Sequence, residues 1–158
     1  MTSIIDELAA LFKNRLEKKR NEPFLKAAMA ACAMVSMSDG QVYFCDRIRL
    51  DQIMTTLDKL KIFDPHKGVD LFNYFVDLIA ESPKLGHQEA VAAVQSVASD
   101  KEVAQLLIRL CVAISLSDGK TNLVEHIEIV SLCSLIGVDP EKSGLNVDKM
   151  LASINVGD

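Results

Sequence analysis

Apolar residues recur along most of this chain at intervals of three and four, the spacing of helices that bury one face. The first such stripe falls in residues 1–20, after a capping-box pattern at Ser3 and Asp6. No stretch alternates between apolar and polar residues for long enough to predict a strand. The pattern therefore predicts an all-α protein whose first element is an amphipathic helix with a stripe made of Ile4, Leu8, Leu11 and Phe12.

Helix start and stop residues divide the remaining pattern into further elements. Pro, Asp and Asn open predicted helices, and Gly closes them. Pro83 and Gly86 are interpreted as a break before the fifth helix. The sequence thus predicts seven or eight helices in all. Those after the first are Pro23 to Ser38, Tyr43 to Lys61, one starting at Asp64-Pro65, His87 to Ala98, Asp100 to Gly119, Asn122 to Gly137, and a short helix or turn at Asp139-Pro140.

Two parts of the chain resemble each other. The segment ACAMVSMSDG ends at Gly40, and LCVAISLSDG ends at Gly119. Each is followed by a second helix and then by an Asp-Pro pair, which defines an internal repeat over residues 24–66 and 103–141. We therefore predict one compact domain over residues 1–158, with two similar helical halves related by a pseudo-twofold axis.

Composition and charge narrow the function. The chain is 49% hydrophobic and 5% aromatic, and its net charge of −5 disfavours a nucleic-acid-binding protein. No apolar run approaches the roughly 20 residues needed for a transmembrane segment. The four cysteines show no CxxC spacing, and three of them lie within apolar helical patterns: Cys32, Cys111 and Cys133. A free Cys in such a pattern behaves as a small apolar side chain, so the cysteines indicate a reducing, cytoplasmic location. The basic run Lys13 to Arg20 has two interpretations. It is either the solvated end of the first helix or a surface that contacts an anionic membrane or partner.

Carboxylates stand at matching positions in the two halves. Asp46 follows Asp39 at the same spacing at which Glu125 follows Asp118. Each Ser-Asp-Gly turn thus precedes an acid in the next helix, and symmetric packing would bring four carboxylates together. A carboxylate in the last turn of a helix meets the negative end of the helix dipole, which is unfavourable. A bound divalent cation would offset this cost, and so would a role of the carboxylate in a turn or as a cap of the next helix. Asn122 and Glu125 have the spacing of a capping box, so capping alone also explains Glu125. The matching residue before Asp46 is Tyr43, whose side chain is a poor cap, so this explanation is weaker in the first half.

The duplicated SDG-x5-[DE] motif, with its Asp-Pro starts, resembles TerB, the tellurite-resistance protein B family. The resemblance covers residues 24–145. It implies a helical domain of two similar halves with an acidic groove for a divalent metal, whose matching ligands are Asp39, Asp46, Asp118 and Glu125. The first half departs from the family in QVYFC, where Ser, Pro or acidic residues are common.

The resemblance also implies a bacterial role in resistance to tellurite and other chemical stress, through protein complexes near the inner membrane face. Oxygen ligands favour Ca, Mg or Mn, while a contribution from His126 would favour Zn. The sequence offers no nucleophile, base and orienting group that can be combined convincingly into a catalytic site, so we expect no enzymatic activity. A helical interaction scaffold without metal is the main alternative, and a hydrolase using metal-bound water is a weaker one.

Overall fold

The computed structural model describes residues 22–38, 40–59, 65–115 and 123–143. Throughout this part of the chain the secondary structure is helical, with no strand, which confirms the predicted all-α class. The predicted helix within residues 1–20 lies outside the described residues, and the pseudo-twofold axis stays a prediction. The described elements are α1 (Glu22–Ser36), α2 (Phe44–Lys59), α3 (Pro65–Glu81), α4 (Pro83–Gln95), α5 (Lys101–Ser115), α6 (Leu123–Ile136) and a 3-10 turn (Glu141–Ser143).

Helix α1 lies at the centre of the packing. It packs against α3, α4, α5 and α6, and every residue from Ala27 to Ser36 is buried. Its sequence in this stretch is AAMAACAMVS, in which alanines let neighbouring helices approach from several sides. A helix that is apolar all round is typical of the interior of a domain. The second central helix, α5, packs against α1, α2 and α6.

Capping groups fix several helix ends where the sequence predicts them. Asp100 Oδ1 accepts hydrogen bonds from the backbone N–H of Glu102 at 3.1 Å and of Val103 at 3.3 Å, so Asp100 caps α5. At the end of α6, Gly137 has a φ of +72°, and the Val138 N–H donates to the Cys133 carbonyl at 2.9 Å. This six-to-one hydrogen bond is the mark of a Schellman cap, which stops the helix.

The predicted start of the fifth helix is wrong. The helix, α4, begins at Pro83 rather than at His87, with Pro83 in its first turn. Proline is favoured there because its fixed φ suits the helix and its missing N–H would have no intrahelical partner. Gly86 is consequently inside the helix and buried. The two residues that were interpreted as a break are the start of α4 and a close-packing position within it.

Three cysteines are free and buried in the interior, as predicted for small apolar side chains: Cys32, Cys111 and Cys133. The Cys32 and Cys111 thiols, from α1 and α5, are hydrogen-bonded to each other. This hydrogen bond, together with burial, raises the pKa of Cys111 well above its ordinary value. Burial raises the pKa of Cys133 to about 11, with a further contribution from the charge of Asp139. Cys111 and Cys133 are therefore suited to packing rather than to thiolate chemistry.

Candidate functional site

Asp46 lies in the first turn of α2 and is only 3% exposed. Its carboxylate accepts a hydrogen bond from the Tyr43 N–H, with 3.4 Å between nitrogen and Oδ2. The Tyr43 carbonyl accepts from the backbone N–H of Asp46 and of Arg47, at 3.1 and 3.3 Å. Tyr43 is thus the N-cap, and Asp46 supplies the reverse half of a capping box. The interpretation that capping explains Asp46 poorly is wrong, because the carboxylate itself makes the capping bond.

Glu125 occupies the equivalent place in the second half. It is the third residue of α6 and, like Asp46, is 3% exposed. Two carboxylates that follow the two Ser-Asp-Gly triplets are therefore both buried in the first turn of a helix. A helix N-terminus favours a negative charge, which offsets part of the cost of burying each one.

His126 follows Glu125 and is 6% exposed. Neither of its ring nitrogens has a hydrogen-bond partner among the described residues. Burial lowers the pKa of His126, so the imidazole is neutral at pH 7 and keeps a nitrogen lone pair. The sequence singled out this histidine as an alternative zinc ligand, and the structure adds that its nitrogens are buried without protein partners in the described part of the chain.

Ser36 is a second buried polar group beside an acidic triplet. Its hydroxyl has no partner among the described residues, whereas the Ser115 hydroxyl donates to the Val112 carbonyl at 2.9 Å. Ser36 and Ser115 occupy matching positions in the repeat, three residues before Asp39 and Asp118. These two matching serines therefore differ in their hydrogen bonding, although the sequences around them agree.

The other two predicted ligands, Asp39 and Asp118, lie outside the described residues. Within the described ranges, no three His, Cys, Asp or Glu side chains are grouped so that they could hold a metal ion. The helices that carry Asp46 and Glu125 both pack against α5. Convergence of all four carboxylates stays a prediction. Carboxylate and imidazole groups are donor types that divalent cations accept, but a metal site built from them stays a prediction.

A groove between α4 and α6 is a feature that the sequence analysis missed. Two adjoining cavities of about 390 and 590 Å³ form this α4–α6 groove, and both reach Met34 of α1, His87 and Gln88 of α4, and Glu128 of α6. Val91, Leu132 and Leu135 add apolar lining. No local pattern could have revealed the groove, because its walls come from residues far apart in the chain.

Glu128 is the acidic group of the α4–α6 groove. Burial raises the pKa of its carboxyl group, and the nearby charge of His87 opposes that shift. Lys84 lines the larger cavity. The groove therefore combines an apolar floor with one half-buried acid, Glu128 of α6, and two basic side chains on α4, Lys84 and His87.

A third cavity, of about 730 Å³, lies at the other end of α1, beside Glu22 and Pro23. Polar contacts join residues of its rim. Lys67 of α3 forms a salt bridge with Glu22 of α1. The Tyr74 hydroxyl donates to Glu89 Oε2 at 2.7 Å, which joins α3 to α4.

Comparison with known proteins identifies the family. A family model described as "Tellurite resistance protein TerB" matches residues 25–145. The chain belongs to the TerB family. A relative described as "Tellurium resistance protein TerB", from Alcaligenes sp, is 22% identical over 91 residues, which cover 58% of this chain and 75% of the relative. No solved structure matches. The matched range includes α1 from Leu25 onward, α2 to α6 and both acidic triplets, so the resemblance found in the sequence is confirmed.

Across the described residues, none of the TerB helices has both the length and the apolar character required to cross a bilayer.

Proposed function

We propose that this chain is a non-enzymatic, bacterial tellurite-resistance or chemical-stress-response protein that binds a divalent metal ion at its acidic groove. The observation that supports this best is the matched burial of Asp46 and Glu125, each at 3% exposure in the helix turn after a Ser-Asp-Gly triplet. Membership of the TerB family gives the physiological setting.

Electrostatics explains why a cation suits this region. Buried carboxylates are costly unless hydrogen bonds or opposite charges compensate them. A divalent ion bound by Asp39, Asp46, Asp118 and Glu125 would neutralise several charges at once. Oxygen donors favour Ca, Mg or Mn, and participation of the neutral His126 would shift the preference toward Zn.

The acidic region would repel tellurite, which is an anion. We therefore propose that the protein acts through other stress-response proteins, in the cytoplasm and in complexes at the inner membrane face, rather than by binding tellurite at this site. The metal would stabilise the arrangement of the two triplets that a partner recognises. A role in nucleic-acid binding is disfavoured by the net charge of −5.

Thermal unfolding of the intact chain tests the metal proposal. A ligand that binds only the folded state raises stability in proportion to RT ln(1 + [L]/Kd), about 2.7 kcal/mol at 100 times Kd. We expect the melting temperature to rise with at least one of Ca, Mg, Mn and Zn, and to return to its starting value with chelator. The same melting temperature in chelator and in all four metals would contradict metal binding.

A helical interaction scaffold without metal is the second candidate, and the Tyr43–Asp46 hydrogen bond favours it. That bond accounts for Asp46 as a helix cap without any ion. In a scaffold, Glu125 would cap α6 in the same way, and the Ser-Asp-Gly triplets would be purely structural. The metal titration separates the two candidates because only the first predicts a response to divalent ions.

A further inference from the structure

The α4–α6 groove is an apolar surface that the proposed metal site does not use. Leu135 lines it and is 40% exposed, and Met34 and Leu132 form its apolar base. Methionine side chains adapt to irregular partners, and grooves between two helices commonly receive a third amphipathic helix. A suitable occupant must have an apolar stripe at helical spacing and tolerate an acid beside it.

We propose that residues 1–20 of the same chain dock in the α4–α6 groove through Ile4, Leu8, Leu11 and Phe12. These four positions follow the i, i+4, i+7, i+8 spacing of a single helix face. The stripe is about as long as the groove. From Ile4 to Phe12 a helix rises about 12 Å, and from Glu128 to Leu135 α6 rises about 10 Å, at 1.5 Å per residue.

The connection to α1 is long enough. From Glu22, where α1 begins, to Met34 at the groove the helix rises about 18 Å. The nine residues between Phe12 and Glu22 span up to about 30 Å when extended, at roughly 3.3 Å per residue. The stripe therefore reaches the groove from the start of α1 without any change in the described helices.

Charge supports the same occupant. Lys13 and Arg15 directly follow the stripe, and docking that places this run beside α6, away from Lys84 and His87 of α4, lets a cation approach the half-buried Glu128. The cavity beside Glu22 is nearer to the segment, but polar pairs already join its rim, Lys67 with Glu22 and Tyr74 with Glu89. The α4–α6 groove instead presents an apolar floor for an apolar stripe.

Hydrogen exchange of the full chain tests the proposal. We expect the amides of residues 4–12 to exchange at least about tenfold more slowly than in an isolated peptide of residues 1–20. Leu135→Gln should remove most of this protection, because it places an amide in the apolar wall. Ile127→Gln is the matched control. Ile127 is also on α6 and 50% exposed, but it does not line the groove, so this variant should keep the protection.

A reciprocal variant examines the other side of the contact. Leu8→Gln with Leu11→Gln in the full chain should increase exchange at Gln88 to Gln95 of α4 and increase binding of an apolar fluorescent dye. Unprotected amides at residues 4–12 in the wild type, or equal protection in Leu135→Gln and Ile127→Gln, would overturn the proposal. Protection that depends on protein concentration would assign the groove to a second copy and overturn docking within one chain.

The remaining rival is a membrane anchor. If residues 4–12 are protected only when vesicles of phosphatidylcholine and phosphatidylglycerol are present, the stripe binds lipid and the docking proposal fails. Protection without vesicles that Leu135→Gln removes supports docking. Since none of these measurements involves a divalent ion, they can fail without affecting the proposed metal site.

Discussion

Gly86 of α4 lies against the backbone of Ile79 in α3, so a Cβ at position 86 would stand 2.6 Å from the Ile79 Cα and 2.7 Å from its nitrogen. Backbone atoms cannot move aside as a flexible side chain can. We expect Gly86→Ala to lower the free energy of unfolding by about 1–3 kcal/mol, the usual cost of overpacking a core. The gain in helix propensity, up to about 1 kcal/mol, offsets only part of this cost. Urea unfolding monitored by circular dichroism measures the difference.

Gly68 provides the control for this prediction. A Cβ there would meet the end of the Met54 side chain, which can rotate away. Gly68→Ala should therefore change stability by clearly less than Gly86→Ala. Equal losses in the two variants would show that the approach of α3 and α4 is not the cause.

The Tyr43–Asp46 cap makes a prediction about α2. Asp46→Ala removes the acceptor for the Tyr43 N–H and should cost about 0.5–2 kcal/mol, as other cap deletions do. Asp46→Asn keeps an oxygen acceptor and should cost less. Urea unfolding in chelator isolates this effect from metal binding. A loss in Asp46→Asn as large as that in Asp46→Ala would instead assign the stabilisation to the negative charge.

Neutralising the two triplets tests convergence of the carboxylates. If the four predicted ligands lie close together, their mutual repulsion strains the metal-free protein. Asp39→Asn with Asp118→Asn should then abolish stabilisation by metal and leave the protein in chelator at least as stable as wild type. Thermal melts with chelator and with each divalent ion measure both effects.

The scaffold alternative predicts a different outcome for the same double variant. Removing two capping or turn carboxylates costs about 0.5–2 kcal/mol at each site. A double variant that melts lower in chelator, combined with no metal response in either protein, would support the scaffold.

Cys133 predicts a dependence of stability on alkaline pH. Its pKa is raised from 9.0 to about 11 in the folded state, chiefly by burial, so folding favours the protonated thiol. This contribution is complete below pH 9 and is lost as the pH rises toward 11, because the unfolded chain then releases a proton that the folded one retains. Cys133→Ala should lose less stability than wild type between pH 8 and pH 10. The measurement is urea unfolding at both pH values with reductant present, and an equal loss in both proteins would contradict the assignment.

Local patterns predicted most of the helices because their end signals are local. Asp100 and Gly137 act through bonds to residues within a few positions, which the sequence displays directly. The start of α4 was mispredicted because Pro83 can either break or begin a helix. In the structure Gly86 lies inside the helix and closely approaches α3, a tertiary contact that a local pattern does not display.

The candidate site was predictable to a smaller extent. The spacing of Asp46 and Glu125 placed both acids in the first turn of a helix, and their residue type suggested a cation. Their near-complete burial depends on how α2 and α6 pack on α5, which spacing alone does not determine. The α4–α6 groove was not predictable, since Met34, His87 and Glu128 share no local pattern.

The central position of α1 has a consequence for synthesis on the ribosome. This helix emerges early, but its partners include α6, which ends at Ile136. About 100 residues separate the ends of the two helices, and at about 5–20 residues per second they take about 5–20 s to translate. Until α6 is complete, the side of α1 that α6 covers has no partner from that helix. We therefore expect a chain that terminates before Ile136 to leave apolar surface of α1 uncovered and to be recognised by chaperones and proteases.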